Sequence, residues 1–148
     1  MNVSGKLLYR VSAVLIALYA AAHAAGFWTV DPAWGVDAVV EGMKSSEFDV
    51  MGFRRRYWDF FIGFGTVVTL LMTFTALVAW QLGALAAAMP RALRPVAWGL
   101  ALAYVLMSAM MWLWFFLPPI VFSTVIALCL LVAAARTRYA ENRSSNDA

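Results

Sequence analysis

Histidine and cysteine each occur once in the 148 residues, and charged residues make up only 13% of them. A single cysteine, Cys129, excludes a disulfide framework and a thiol-pair redox motif. With one histidine, His23, there is no Cys/His metal spacing and no clear serine–histidine–acid set. No glycine loop of the phosphate-cradling kind occurs, and no series of charges runs along any apolar stretch to mark an ion path. The shortage of charge excludes more than any motif does. A soluble domain carries about 25% charged and about 45–50% apolar residues, whereas this chain is 64% hydrophobic. A chain this short buries too little of its surface to keep that much apolar area out of water, so lipid is the expected solvent.

What is present fits that solvent. Four long uncharged runs predict membrane-crossing helices at about residues 7–28, 57–80, 96–117 and 119–135. About 20 apolar residues cross a hydrocarbon core of about 30 Å. The fourth run is short, but Phe115 to Leu117 extend it, and Arg136 and Arg138 can snorkel to the interface. None of the runs alternates polar and apolar residues as a membrane β-barrel strand does. The expected fold is an all-α integral membrane protein, a four-helix bundle forming one domain over residues 1–138. The first run opens with Lys6 and Arg10 and contains Ala22-His23-Ala24, which resembles a signal cleavage site. Because the apolar stretch continues through Gly26, Phe27 and Trp28, a retained anchor is expected.

The basic residues set an expected orientation. Lys6, Arg10, Arg91, Arg94, Arg136, Arg138 and Arg143 fall on the side of both termini. Lys44 and Arg54 to Arg56 fall on the other, diluted by Asp31, Asp37, Glu41, Glu47 and Asp49. The positive-inside rule then puts both termini in the cytoplasm. The net charge of +3 does not imply nucleic acid, because these cations flank spans, where anionic head groups lie.

The long first loop, expected on the non-cytoplasmic side, carries Val36, Val39, Val40 and Met43 at i, i+3, i+4 and i+7, with Asp37, Glu41 and Lys44 opposite. That pattern predicts an amphipathic helix at about 35–44, lying over the outer mouth of the bundle, after a turn at Asp31-Pro32. Pro118 and Pro119 are expected in the turn that joins the last two spans. A segment holding Pro90, Arg91, Arg94 and Pro95 joins spans two and three, and the polar tail 139–148 is expected to fray.

Chemistry is expected where Arg54, Arg55 and Arg56 precede Asp59. An ionised carboxylate inside a span has to face the protein interior and be neutralised, and Arg55 at i−4 and Arg56 at i−3 share its helical face. The bland reading is an ion pair fixing the end of the span; the functional one makes Asp59 catalytic. His23 is expected at the same depth as Asp59, so a His23–Asp59 contact would make a proton-handling pair, or else a plain buried hydrogen bond between helices. Below Asp59, the stripe Gly63, Thr66, Leu70 and Thr73 predicts close approach of a neighbouring helix. The catalytic candidates are therefore His23 and Asp59, and the ligand-binding candidates Tyr19, Arg54, Arg55, Arg56, Tyr57 and Thr66. No metal is indicated. Haem is a weaker reading, because His23 would need a thioether partner such as Met107, Met110 or Met111, and these methionines are expected to fill the core. Trp98, Trp112 and Trp114 fit the aromatic belts at the two membrane interfaces.

The run Trp58-Asp59-Phe60-Phe61-Ile62-Gly63-Phe64-Gly65, read with Gly52–Arg56 before it and Thr73–Gly83 after it, resembles a group of uncharacterised small bacterial four-span membrane proteins. Their shared feature is Trp-Asp-Phe-x-x-Gly-Phe-Gly entering the second span after a long first loop. The resemblance is specific around this run and loose elsewhere. It implies a four-helix protein of the bacterial inner membrane and carries over no activity and no active-site residue. The expected function is binding of a lipid or lipophilic small molecule, or service as an accessory subunit. The rival is a small membrane enzyme acting on a lipophilic substrate through Asp59 and His23.

Overall fold

The computed structural model describes the backbone of residues 3–85 and 88–146 and the side chains of residues 5–85, 88–89 and 91–137. In chain order it has α1 (Val3–Phe27), a single 3₁₀ turn (Pro32–Trp34), α2 (Asp37–Ser45), β1 (Glu47–Val50), β2 (Phe53–Arg56), α3 (Tyr57–Leu85), α4 (Pro90–Trp114) and α5 (Leu117–Asn146). Four of these helices are long and apolar enough to cross a membrane: α1, α3, α4 and α5. The protein is an all-α, multi-pass membrane protein of the four-helix-bundle class, with a short amphipathic helix in its first loop.

The helix boundaries have local causes. Pro90 sits in the first turn of α4, where its missing N–H would have no partner anyway. Pro95 lies further in and removes one intrahelical bond, which the rest of the helix absorbs. The expected linker around Pro90–Pro95 is therefore the opening of α4 rather than a loop. Pro118 and Pro119 start α5 in the same way, leaving only Phe115 and Phe116 between α4 and α5. The backbone of α5 continues to Asn146, through most of the tail expected to fray; the side chains of Arg138 and Arg143 lie outside the described residues.

The chain divides into two compact units, residues 1–19 with 72–148, and residues 20–71. The first contains nearly all of the core. On α1, Tyr9, Ser12, Ala13, Ile16 and Tyr19 are buried; on α3, Met72, Ala76, Ala79 and Leu82; on α5, Ile126, Leu130, Ala133 and Ala134. Several polar groups in this unit pair between helices, although Ser12 Oγ is buried without a partner. The hydroxyls of Tyr9 and Thr137 are 3.1 Å apart, those of Thr75 and Tyr104 2.8 Å, and those of Ser108 and Thr124 2.9 Å. With no water in a bilayer core, such groups need partners inside the protein. Gly83 sits where an added Cβ would lie 3.3 Å from the Lys6 carbonyl oxygen, from Tyr9 Cβ and from Arg10 Cγ, so it is what lets α1 approach α3 closely.

The second unit holds the first loop. β1 and β2 form an antiparallel hairpin with pairs Glu47–Arg56, Phe48–Arg55, Asp49–Arg54 and Val50–Phe53, an element absent from the expectations above. Its two-residue turn has both φ angles positive, 54° at Met51 and 87° at Gly52, which is the turn whose twist suits a tight hairpin. Gly52 takes that conformation freely, and its N–H donates to Asp49 Oδ1 at 3.0 Å. α2 falls within a residue or two of its expected position, and the expected turn is the 3₁₀ segment, where Asp31 Oδ1 accepts the Ala33 N–H at 2.9 Å.

Candidate functional site

The site residues expected from sequence divide between the two units. Tyr19 belongs to the first, where its hydroxyl donates to Met111 Sδ at 3.7 Å and its ring stacks on Phe122 at 5.3 Å. The Met111 thioether is thus engaged by a tyrosine. His23, Arg54 to Arg56, Tyr57, Asp59 and Thr66 belong to the second unit.

Asp59 does not do what its place near a span predicts. It is exposed, and its Oδ2 accepts the Arg56 backbone N–H at 2.8 Å. With Arg56 as the residue before α3 and Asp59 third in the helix, this is the reciprocal half of a capping box. The negative charge in the first turn also complements the helix dipole. The neighbouring guanidiniums are occupied elsewhere. Arg56 Nη2 and Nε donate to Glu47 Oε1 at 2.6 and 3.2 Å across the hairpin, and that hydrogen bond, followed by the Glu47 charge, raises the Arg56 pKa above its ordinary value. The cause is local: at the start of a helix the unpaired backbone N–H groups offer a carboxylate a nearer partner than any side chain does.

His23 and Asp59 are not paired either. His23 Nδ1 lies 2.9 Å from Thr69 Oγ1, and its ring tilts against Phe27 at 5.2 Å. Thr69 is ten residues beyond Asp59 on α3, about 15 Å along the axis at about 1.5 Å per residue, so His23 is not level with the acid. The Thr69 hydroxyl donates to the Gly65 carbonyl at 3.0 Å. The Thr69 hydroxyl thus stands between the His23 ring and the backbone of its own helix. Gly65 makes room for this contact, since an added Cβ would lie 2.7 Å from the Phe27 ring.

The stripe Gly63, Thr66, Leu70 and Thr73 is not a packing face. Gly63 has open space around it, Leu70 is 64% exposed, and Thr66 donates to the Ile62 carbonyl at 2.8 Å. The covered face of α3 runs instead through Gly65, Thr69, Met72, Ala76, Ala79 and Gly83. Both stripes have helical spacing and small residues, and only the position of α1 distinguishes them. Just 11% of the α3 span is buried in the protein, against 28–33% for the other three.

Within the second unit, one arrangement joins charge to an apolar surface. Side chains alternate across a hairpin, so Glu47, Asp49, Arg54 and Arg56 share one face, and Phe48, Val50, Phe53 and Arg55 the other. The first face is ionic and largely self-neutralised, with Arg54 also 3.9 Å from Glu47. On the second, Phe48 packs on Tyr57 at 4.8 Å and on Phe60 at 6.0 Å, and Phe60 lies 6.4 Å from Phe64 one turn further along α3. Arg55 stands over the Phe53 ring at 5.3 Å, donates to the Arg54 carbonyl at 2.7 Å, and has no carboxylate partner among the described residues. The alternation Glu47-Phe48-Asp49-Val50 followed by Gly52 is the signal in sequence that marks this hairpin. On the same unit, Lys44 Nζ lies 4.7 Å over Trp58, which ties α2 to the start of α3.

Among the described residues there is no cluster of three or more His, Cys, Asp or Glu suited to a metal ion. No protein-family model, no curated protein and no solved structure matches the chain.

Proposed function

We propose that this protein binds an amphiphile with an anionic head at the junction of the first-loop hairpin and α3. The observation that supports this reading is Arg55. It is the one hairpin guanidinium without an acid, and it shares a face with Phe48 and Phe53, from which aromatic rings continue through Phe60 to Phe64 on α3. A cation at the head of an aromatic, lipid-exposed track matches a molecule with a charged head and an apolar body. The enzyme reading loses its main support, because Asp59 is used in capping α3 and His23 is bonded to Thr69. The proposal includes the setting expected from sequence: the bacterial inner membrane, both termini cytoplasmic, and kinship with the small four-span proteins sharing the Trp-Asp-Phe-x-x-Gly-Phe-Gly run.

Native mass spectrometry of protein extracted in mild detergent tests the reading. A retained amphiphile is expected on the unaltered chain, strongly reduced in Arg55→Ala and in Phe64→Ala, and kept in Arg54→Ala. A chain without any bound amphiphile, or an adduct indifferent to Arg55→Ala, overturns it. A co-purifying membrane subunit in its place would favour the accessory role.

A further inference from the structure

A second cation sits in a different setting, at the end of the first unit formed by the start of α1 and the end of α3. The Arg10 guanidinium lies over the Trp80 ring, 4.4 Å from its centre. Gly83, three residues beyond Trp80 and so on the same face of α3, sets this geometry: Arg10 Cγ lies 3.3 Å from where its Cβ would be. Arg10 makes no hydrogen bond to any described residue, and its Nε is shut away from solvent without an acceptor. Among the side chains described in this unit there is no aspartate or glutamate to offset it. Lys6, one turn earlier on α1, is exposed, and Arg136 on α5 adjoins Thr137, whose hydroxyl is bonded to Tyr9. Trp80 remains 43% exposed, so the stacked pair is open to a ligand along one edge.

We infer that Arg10, held on Trp80, is a phosphate-binding residue, with Lys6 and Arg136 supplying further positive charge. A guanidinium fixed on an indole keeps its fork in one orientation, which favours a planar, two-point contact with phosphate oxygens over a diffuse ion cloud. Binding would use the outward Nη groups. Because Arg10 begins a span, the phosphate is carried by a lipid head group or is the free ion, and the two sources are separable. This inference uses none of the residues assigned to the hairpin site.

The test is lipid exchange followed by native mass spectrometry, on the full chain in nanodiscs of mixed phosphatidylglycerol and phosphatidylcholine. Retention of phosphatidylglycerol is expected to exceed that of phosphatidylcholine by about tenfold, because the choline ammonium offsets the phosphate charge that Arg10, Lys6 and Arg136 attract. In an Arg55→Ala background, which removes the hairpin cation, Arg10→Gln is expected to abolish the preference and Arg10→Lys to leave part of it, while Arg54→Ala leaves it intact. That background separates this site from the hairpin. Should Arg10→Gln not fold, as judged by circular dichroism, Trp80→Leu serves in its place and is expected to weaken the preference several-fold. A preference unmoved by millimolar inorganic phosphate assigns the site to a head group, and displacement by inorganic phosphate alone assigns it to the free ion. Equal retention of the two lipids without displacement by phosphate, or a preference that survives Arg10→Gln, overturns the inference.

Discussion

The two units follow opposite rules. In residues 1–19 with 72–148, several polar side chains find partners on other helices, as Tyr9 does with Thr137 and Thr75 with Tyr104, while Ser12 Oγ and Arg10 Nε are buried without one. In residues 20–71 most polar groups are satisfied by backbone a few positions away: Asp31 by Ala33, Asp49 by Gly52, Asp59 by Arg56. From residue 21 to residue 71 no side chain is buried, yet this stretch contains six of the eight acids, Asp31, Asp37, Glu41, Glu47, Asp49 and Asp59. The difference comes from the backbone that each unit leaves open. Where lipid is the only alternative, a hydroxyl needs another helix; where the backbone leaves helix ends and turns open, a short acid side chain reaches them first. Glu47 with Arg56 and His23 with Thr69 are exceptions within the second unit, the latter a bond between helices of the kind found in the first.

The sharpest test of the contrast is a pair of glycine substitutions on α3. Gly83→Leu drives a side chain into the α1 backbone at Lys6 and is expected to cost about 1–3 kcal/mol, whereas Gly63→Leu, into open space, should stay within about 0.5 kcal/mol. Unfolding in mixed detergent micelles, followed by circular dichroism, measures both; equal losses would mean that α1 does not approach α3 along Gly83. Next in size is the hairpin turn. Met51 holds a left-handed backbone at φ 54°, a conformation costing about 1–2 kcal/mol for a residue with a Cβ. Met51→Gly is therefore expected to slow amide exchange across Glu47–Arg56, and faster exchange would contradict the turn geometry.

Smaller effects follow from the interhelical bonds. Tyr9→Phe breaks the contact with Thr137, which still donates to the Ala133 carbonyl at 3.0 Å. The expected loss is about 0.6 kcal/mol, the usual size of such a bond inside a membrane, read by the same unfolding assay. The smallest effect is expected for Glu47→Gln. Its ion pair with Arg56 is half-exposed and screened by solvent, so the unfolding midpoint should not move, although the hairpin will exchange faster.

The expectations that held rest on signals carried by neighbouring residues. The four spans are visible as uncharged runs, and α2 follows from Val36, Val39, Val40 and Met43 at helical spacing. The hairpin was marked too, by Glu47-Phe48-Asp49-Val50 and Gly52, but a strand of four residues sends a faint signal beside long apolar runs. The role of Asp59 is not legible in this way, because a carboxylate near a span points first to charged side chains as partners. The backbone N–H of Arg56 was the nearer partner.

By itself, the order of residues determined how many helices cross the bilayer, where the amphipathic helix lies and where most of the acids collect. These follow from hydrophobicity and periodicity within a short stretch of chain. Tertiary structure alone decided which face of α3 is covered, that His23 meets Thr69, and that Arg10 rests on Trp80. Each depends on how a helix is rotated about its own axis against another. Two stripes of small residues on one helix are equivalent until a neighbour such as Phe27 or the Lys6 carbonyl comes to lie against one of them.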